Sequence, residues 1–115
     1  MSWELKERQA GPVTVVNVIG RLTMGAGSEA LDEKLTSLVA AGRVSLLLDC
    51  SRVDAVDSQG LKSILRGIAL AREKGGHLKL LKPSPRLREV LKVTRLTTVT
   101  ENFDDEDAAL RSFQT

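Results

Sequence analysis

Val44-Ser45-Leu46-Leu47-Leu48-Asp49-Cys50, followed shortly by Val56-Asp57-Ser58-Gln59-Gly60-Leu61, is the stretch on which the fold turns. The first run is apolar on both faces, the pattern of a central parallel strand covered by helices. The second opens an amphipathic helix with Leu61, Ile64, Leu65 and Ile68 on one face. A serine therefore sits where strand gives way to helix, beside an acid and just before a glycine. Free backbone N–H groups at a helix start, and the helix dipole, favour an anion there. Ser58 thus reads as a switch residue before it reads as a catalyst.

Working outward, residues 3–9 form an edge strand and Ala10-Gly11-Pro12 a turn. Val13-Thr14-Val15-Val16-Asn17-Val18-Ile19 is rich in β-branched residues and reads as a second strand. The short Gly-Pro connection predicts an antiparallel hairpin. Gly25-Ala26-Gly27 breaks the chain. Ser28 is expected to cap a helix carrying Leu31, Leu35, Leu38 and Val39, with Gly42 at its end. The helix from Ser58 stops at Gly75-Gly76, and His77-Leu78-Lys79-Leu80-Leu81 is the next strand. Ser84-Pro85 pairs a hydroxyl cap with proline at the first helical position, ahead of Leu87, Val90 and Leu91. Thr97-Thr98-Val99-Thr100 reads as a short strand. Asp104-Asp105-Glu106-Asp107 loads the first turn of a final helix, docked by Leu110 and Phe113.

The order β-β-α-β-α-β-α-β-α predicts an α/β fold: a mixed, mostly parallel sheet of four or five strands, flanked by helices, with one antiparallel pair at the N-terminal end. The 115 residues fit one domain, 1–115. In such folds ligand and partner surfaces lie beyond the carboxyl ends of the strands, where Ser58 falls.

Composition narrows the function classes. Apolar residues are 42% and charged residues 28%, as in globular proteins. Aromatics are 3% with no tyrosine, which weakens any reading as a base-stacking nucleic-acid binder. The net charge of +2 is too small to imply a polyanion partner by itself. Cys50 is the one cysteine, so no internal disulfide forms. No apolar run approaches the ~20 residues of a membrane span, and the expected location is cytoplasmic, without membrane insertion.

Read in order, these features resemble a STAS domain, the fold of anti-sigma factor antagonists and of sulfate-transporter tails. Val18-Ile19-Gly20-Arg21-Leu22 is similar to the family's Gly-x-Leu at the end of the second strand. Leu46 to Asp49, with Val56-Asp57-Ser58-Gln59-Gly60-Leu61, resembles its Asp-Ser-Ser/Thr-Gly-Leu phosphorylation loop. Gly75-Gly76-His77-Leu78-Lys79-Leu80 and the segments after it follow the family's order. The resemblance implies an anti-sigma factor antagonist, not an enzyme. It would bind an anti-sigma factor serine kinase of the histidine-kinase-like ATPase family when unphosphorylated, and a metal-dependent serine phosphatase would reverse the mark on Ser58. Thr23, Asp57, Gln59, Gly60 and Lys62 are the candidate partner contacts. Two positions depart from the pattern. Gln59 stands where many members have a second hydroxyl residue, and Thr23 where many antagonists have Asp. The alternative within the fold is a STAS subunit of a lipid-transport or stress-signalling assembly.

Each residue also has a plainer reading. Ser58 can be a simple helix cap, worth ~1 kcal/mol. Asp57 either accepts from a helix-start N–H or orients the Ser58 hydroxyl. Gly60 either permits close approach of another backbone or is merely tolerated. A serine hydrolase is the remaining alternative. Gly-x-Ser-x-Gly is absent, because Val56 stands two before Ser58, and nothing brings His77 to Ser58. One His and one Cys leave no metal-ligand spacing, and no phosphate-binding or dinucleotide fingerprint calls for a cofactor. Residues 62–95 are basic. They read as a solvated positive face or as a docking surface for an acidic protein.

Overall fold

The computed structural model describes residues 3–114. The strands are β1 (Trp3–Ala10), β2 (Val13–Leu22), β3 (Ser45–Val56), β4 (His77–Leu81) and β5 (Asn102–Phe103). The helices are α1 (Ala26–Ala40), α2 (Ser58–Glu73), α3 (Pro85–Val93) and α4 (Glu106–Arg111). They follow one another as β-β-α-β-α-β-α-β-α, in a single five-stranded sheet of spatial order β1-β2-β3-β4-β5. β1 and β2 are antiparallel, and every later pair is parallel.

This order fixes where the helices lie. Each crossover steps to the next strand in the same direction, so right-handed connections put α1, α2 and α3 on one face. The main core shows it. Val16, Val18, Leu46, Leu48, Cys50, Leu78 and Leu80 from the strands meet Leu31 and Leu35, Ile64 and Ile68, and Leu87 and Leu91. The opposite face, with Val13, Val15, Leu47 and Leu81, is covered by Ala109 and Leu110 of α4 and by Phe113. The period-2 alternation of strand side chains thus sorts one sheet into a large and a small core.

β3 runs beyond the expected 44–50. Its pairing with β4 ends at Asp49, while its second half stays on β2 through register shifts to Val56. That extension carries the start of α2 past the end of β4. Ser84 N–H donates to the Cys50 carbonyl (3.1 Å), its Oγ accepts from Leu87 N–H (3.2 Å), and α3 starts there with Pro85.

Three expectations are corrected. Residues 97–100 are not a strand. The chain there turns, with Val99 and Thr100 N–H and the Thr100 hydroxyl all donating to the Leu96 carbonyl, and β5 follows at 102–103. Helical hydrogen bonding overrides the β propensity of Thr and Val. Ser28 does not cap α1. Gly25 does, at φ 102°, while Ser28 lies buried in the first turn with its N–H on the Thr23 carbonyl (3.1 Å). A Cβ at Gly27 would lie 2.5 Å from the Arg21 carbonyl oxygen, so α1 starts early because glycine lets it meet the end of β2. Leu65 does not join the fully buried stripe: Leu61, Ile64 and Ile68 are buried, and Leu65 is half-buried at the margin of the core.

Candidate functional site

The carboxyl ends of β2 and β3 and the starts of α1 and α2 converge on one edge. Asp57 joins them. It is the N-cap of α2, in extended backbone, and its Oδ1 accepts from Gln59 N–H and Gly60 N–H, each at 3.0 Å. Its Oδ2 accepts from Met24 N–H at 2.8 Å, across the loop between β2 and α1. These bonds hold the Asp57 carboxyl below the usual carboxylate range, the Met24 bond most and the Gly60 bond next, against the opposing effect of partial burial. Of the two roles open to Asp57, the structure shows the first: its oxygens are engaged with backbone N–H groups.

Ser58 is the first residue of α2, not its cap, and is exposed. The helix-start donors of Gln59 and Gly60, which would have welcomed an anion, are already held by Asp57. Ser58 is thus an exposed residue beside a carboxylate held by three backbone N–H groups.

Gly60 takes the close-approach reading. A Cβ there would come within 2.9 Å of the Leu22 carbonyl carbon and nearer still to its oxygen. Only glycine lets α2 settle against the end of β2. Ser63, one turn on, is buried and donates to the carbonyls of Ser28 and Gln59 (3.2 Å each), tying α2 to α1. Thr23 is half-buried and contributes its carbonyl to the start of α1. Gln59 is half-buried, and Lys62 is exposed one turn beyond Ser58.

Thr23, Asp57, Ser58, Gln59, Gly60 and Lys62 therefore lie on one edge. Sequence reasoning missed Met24, whose side chain is 73% exposed at the same loop while its backbone is held by Asp57. No periodicity marks a single apolar residue in a glycine-rich loop. His77 lies elsewhere: it pairs with Ser45, at the start of β3, and the length of β3 separates it from Ser58. A triad through His77 is excluded by that topology.

The basic run is not one face. Lys79 is buried on the α4 side, with Nζ donating to Ser112 O (3.0 Å) and Oγ (2.9 Å) and lying 4.5 Å from the Phe113 ring centre. Arg66 pairs with Asp32 (2.8 Å) and Arg88 with Asp104 (2.9 Å). Cys50 is fully buried and its thiol is pushed up to about 12 by desolvation and then by Asp49. Such a thiol is inert. Among the described residues no helix is long and apolar enough to cross a membrane, and no three His, Cys, Asp or Glu side chains gather as metal ligands would.

Known proteins share this architecture. A Bordetella bronchiseptica protein named as an anti-sigma factor antagonist, BtrV, is 29% identical over 90 residues, 78% of each chain. The structure of a Thermotoga maritima protein, tm1081, named as an anti-sigma factor antagonist, superposes with a TM-score of 0.86 at 17% identity, over 96% of this chain and 95% of that one. The Bacillus cell fate determinant SpoIIAA, solved in a phosphorylated form, gives 0.72 at 22% identity over 96% and 99%. These structural likenesses carry the fold. The sequence itself carries the family: the model described as Mlab, STAS domain, matches residues 5–101, from within β1 through the turn before β5. With most of the hairpin, the strands β2 to β4 and the strand-to-helix edge inside that match, the chain belongs to the STAS domain family.

Proposed function

We propose that this protein is an anti-sigma factor antagonist switched by phosphorylation of Ser58. The observation that carries the reading is the exposed Ser58 hydroxyl at the first residue of α2, on an edge that Asp57 holds rigid. BtrV, named for the same activity, and SpoIIAA, solved in phosphorylated form, support it. In this reading the unphosphorylated edge, with Thr23, Asp57, Gln59, Gly60 and Lys62, binds an anti-sigma factor kinase in the cytoplasm and so frees a sigma factor. Ser58 Oγ then attacks the γ-phosphorus of the kinase's ATP. The new O–P bond forms as the γ-phosphoryl leaves ADP, and the hydroxyl proton is released. A metal-dependent serine phosphatase restores the hydroxyl.

The experiment is incubation with ATP and a histidine-kinase-like anti-sigma factor, followed by peptide mass spectrometry. One phosphate on the Ser58 peptide, absent from Ser58→Ala, is expected. Transfer to another residue, or stable binding with no transfer, would overturn the switch. The second outcome would favour the other reading, a STAS subunit of a larger assembly.

A further inference from the structure

A phosphate on Ser58 needs a countercharge, and the usual one is taken. Gln59 N–H and Gly60 N–H are held at 3.0 Å by Asp57, whose other oxygen holds Met24 N–H at 2.8 Å. Displacing Asp57 would free the β2–α1 loop and leave a carboxylate beside a dianion. At the ends of the elements that meet here, the charged residues are Arg21 in β2, Glu29 and Asp32 in α1, Arg52 and Asp54 in β3, and Lys62 and Arg66 in α2. Arg66 already pairs with Asp32 at 2.8 Å. Lys62 is exposed and, among the described residues, in no ion pair. It stands four residues after Ser58 on the same helix. Residues so spaced have Cβ atoms about 5–6 Å apart, and an acid placed N-terminal to its lysine is the favoured orientation.

We propose that Lys62 is the built-in countercharge of phosphorylated Ser58, closing over the phosphate as an i, i+4 ion pair on α2 while Asp57 keeps its backbone bonds. Phosphorylation then changes the edge twice: it adds a dianion and it withdraws a free cation from the partner's reach. Lys62 acts as a positioning residue for the switch. The inference rests on Ser58 being the phosphorylated residue.

The test uses the whole chain with phosphoserine installed at position 58 during synthesis, so it reads Lys62 whether or not a kinase is ever found. Phosphorus NMR follows the second ionisation of the phosphate, ordinarily near ~6. Lys62→Met should raise its midpoint by about 0.2–0.4 units, the size of an i, i+4 pair. Lys62→Arg should keep the native value. Arg72→Met, about 15 Å further along the helix, should leave it unchanged at physiological salt, where screening acts over ~8 Å. At 1 M salt the Lys62→Met difference should vanish. Equal midpoints for the native and Lys62→Met chains would overturn the proposal. So would equal shifts from Lys62→Met and Arg72→Met, or large phosphate-dependent shifts of the Gln59 and Gly60 amides showing that the phosphate has replaced Asp57.

Discussion

Gly60→Ala sets two effects of opposite sign against each other. In an open helix the change stabilises by about 1 kcal/mol, because alanine restricts the unfolded chain and favours the helix. Here the new Cβ would stand 2.9 Å from the Leu22 carbonyl carbon and 3.0 Å from its Cγ, with the carbonyl oxygen nearer still. That carbonyl cannot swing away. It belongs to the last residue of β2, paired with Val56, and accepts from Asp57 N–H (3.4 Å). The start of α2 must slide outward instead, at an overpacking cost of about 1–3 kcal/mol, and the slide loosens the Asp57 cap, worth ~1 kcal/mol. The net expectation is a loss of about 1–3 kcal/mol. Gly67→Ala is the internal control. Its Cβ would meet Leu35 Cδ1 (2.6 Å) and Leu78 Cδ1 (2.9 Å), side-chain ends that can rotate, so the variant should stay within about 1 kcal/mol of native. Urea unfolding followed by circular dichroism, compared at constant slope, measures both. A Gly60→Ala protein as stable as native, or a Gly67→Ala protein that is the weaker of the two, would refute the close approach of α2 to β2.

Asp57→Ala removes the α2 cap and the tie to Met24, and should cost about 1–2 kcal/mol at pH 7 by urea unfolding. Because the folded carboxyl lies below its ordinary value of 3.8, the stability from its charge is fully present above that value. It is lost as pH falls through the lower folded value, so the gap between native and Asp57→Ala should narrow below pH 4 and stay flat from 5 to 8. Ile64→Ala, at a fully buried site, should cost ~2–5 kcal/mol and Leu65→Ala distinctly less, since Leu65 only borders the core; the reverse ranking by the same assay would mean that α2 is rotated.

The fold was legible where pattern and packing agree. The apolar run at 44–50 and the helix stripe from Leu61 to Ile68 each have one way to bury themselves, and the element order then dictates a mostly parallel sheet. What stayed hidden depends on contacts between distant segments. The two-residue β5 is defined by Leu80 and Lys82 donating to Glu101 and Phe103 carbonyls, which no local propensity encodes. The early start of α1 follows from Gly27 against Arg21, and the depth of Lys79 from Ser112 and Phe113 far along the chain. At the candidate site the sequence pointed to Ser58 and its neighbours. It did not show that Asp57, rather than Ser58, caps the helix, nor that the same carboxylate reaches Met24, 33 residues away.

The central claim is that charge on Ser58 decides partner binding without unfolding the domain. A partner packed against Gly60 would have to desolvate a dianion or face it with like charge, at a cost of several kcal/mol. A penalty of about 3–4 kcal/mol lowers affinity by two to three orders of magnitude. The direct measurement is calorimetric titration of the partner anti-sigma factor with native, phosphoserine-58 and Ser58→Ala proteins, with circular dichroism confirming that all three are folded. The account predicts tight, similar binding by native and Ser58→Ala and at least hundredfold weaker binding by the phosphorylated chain. Equal affinity for all three folded proteins would contradict it.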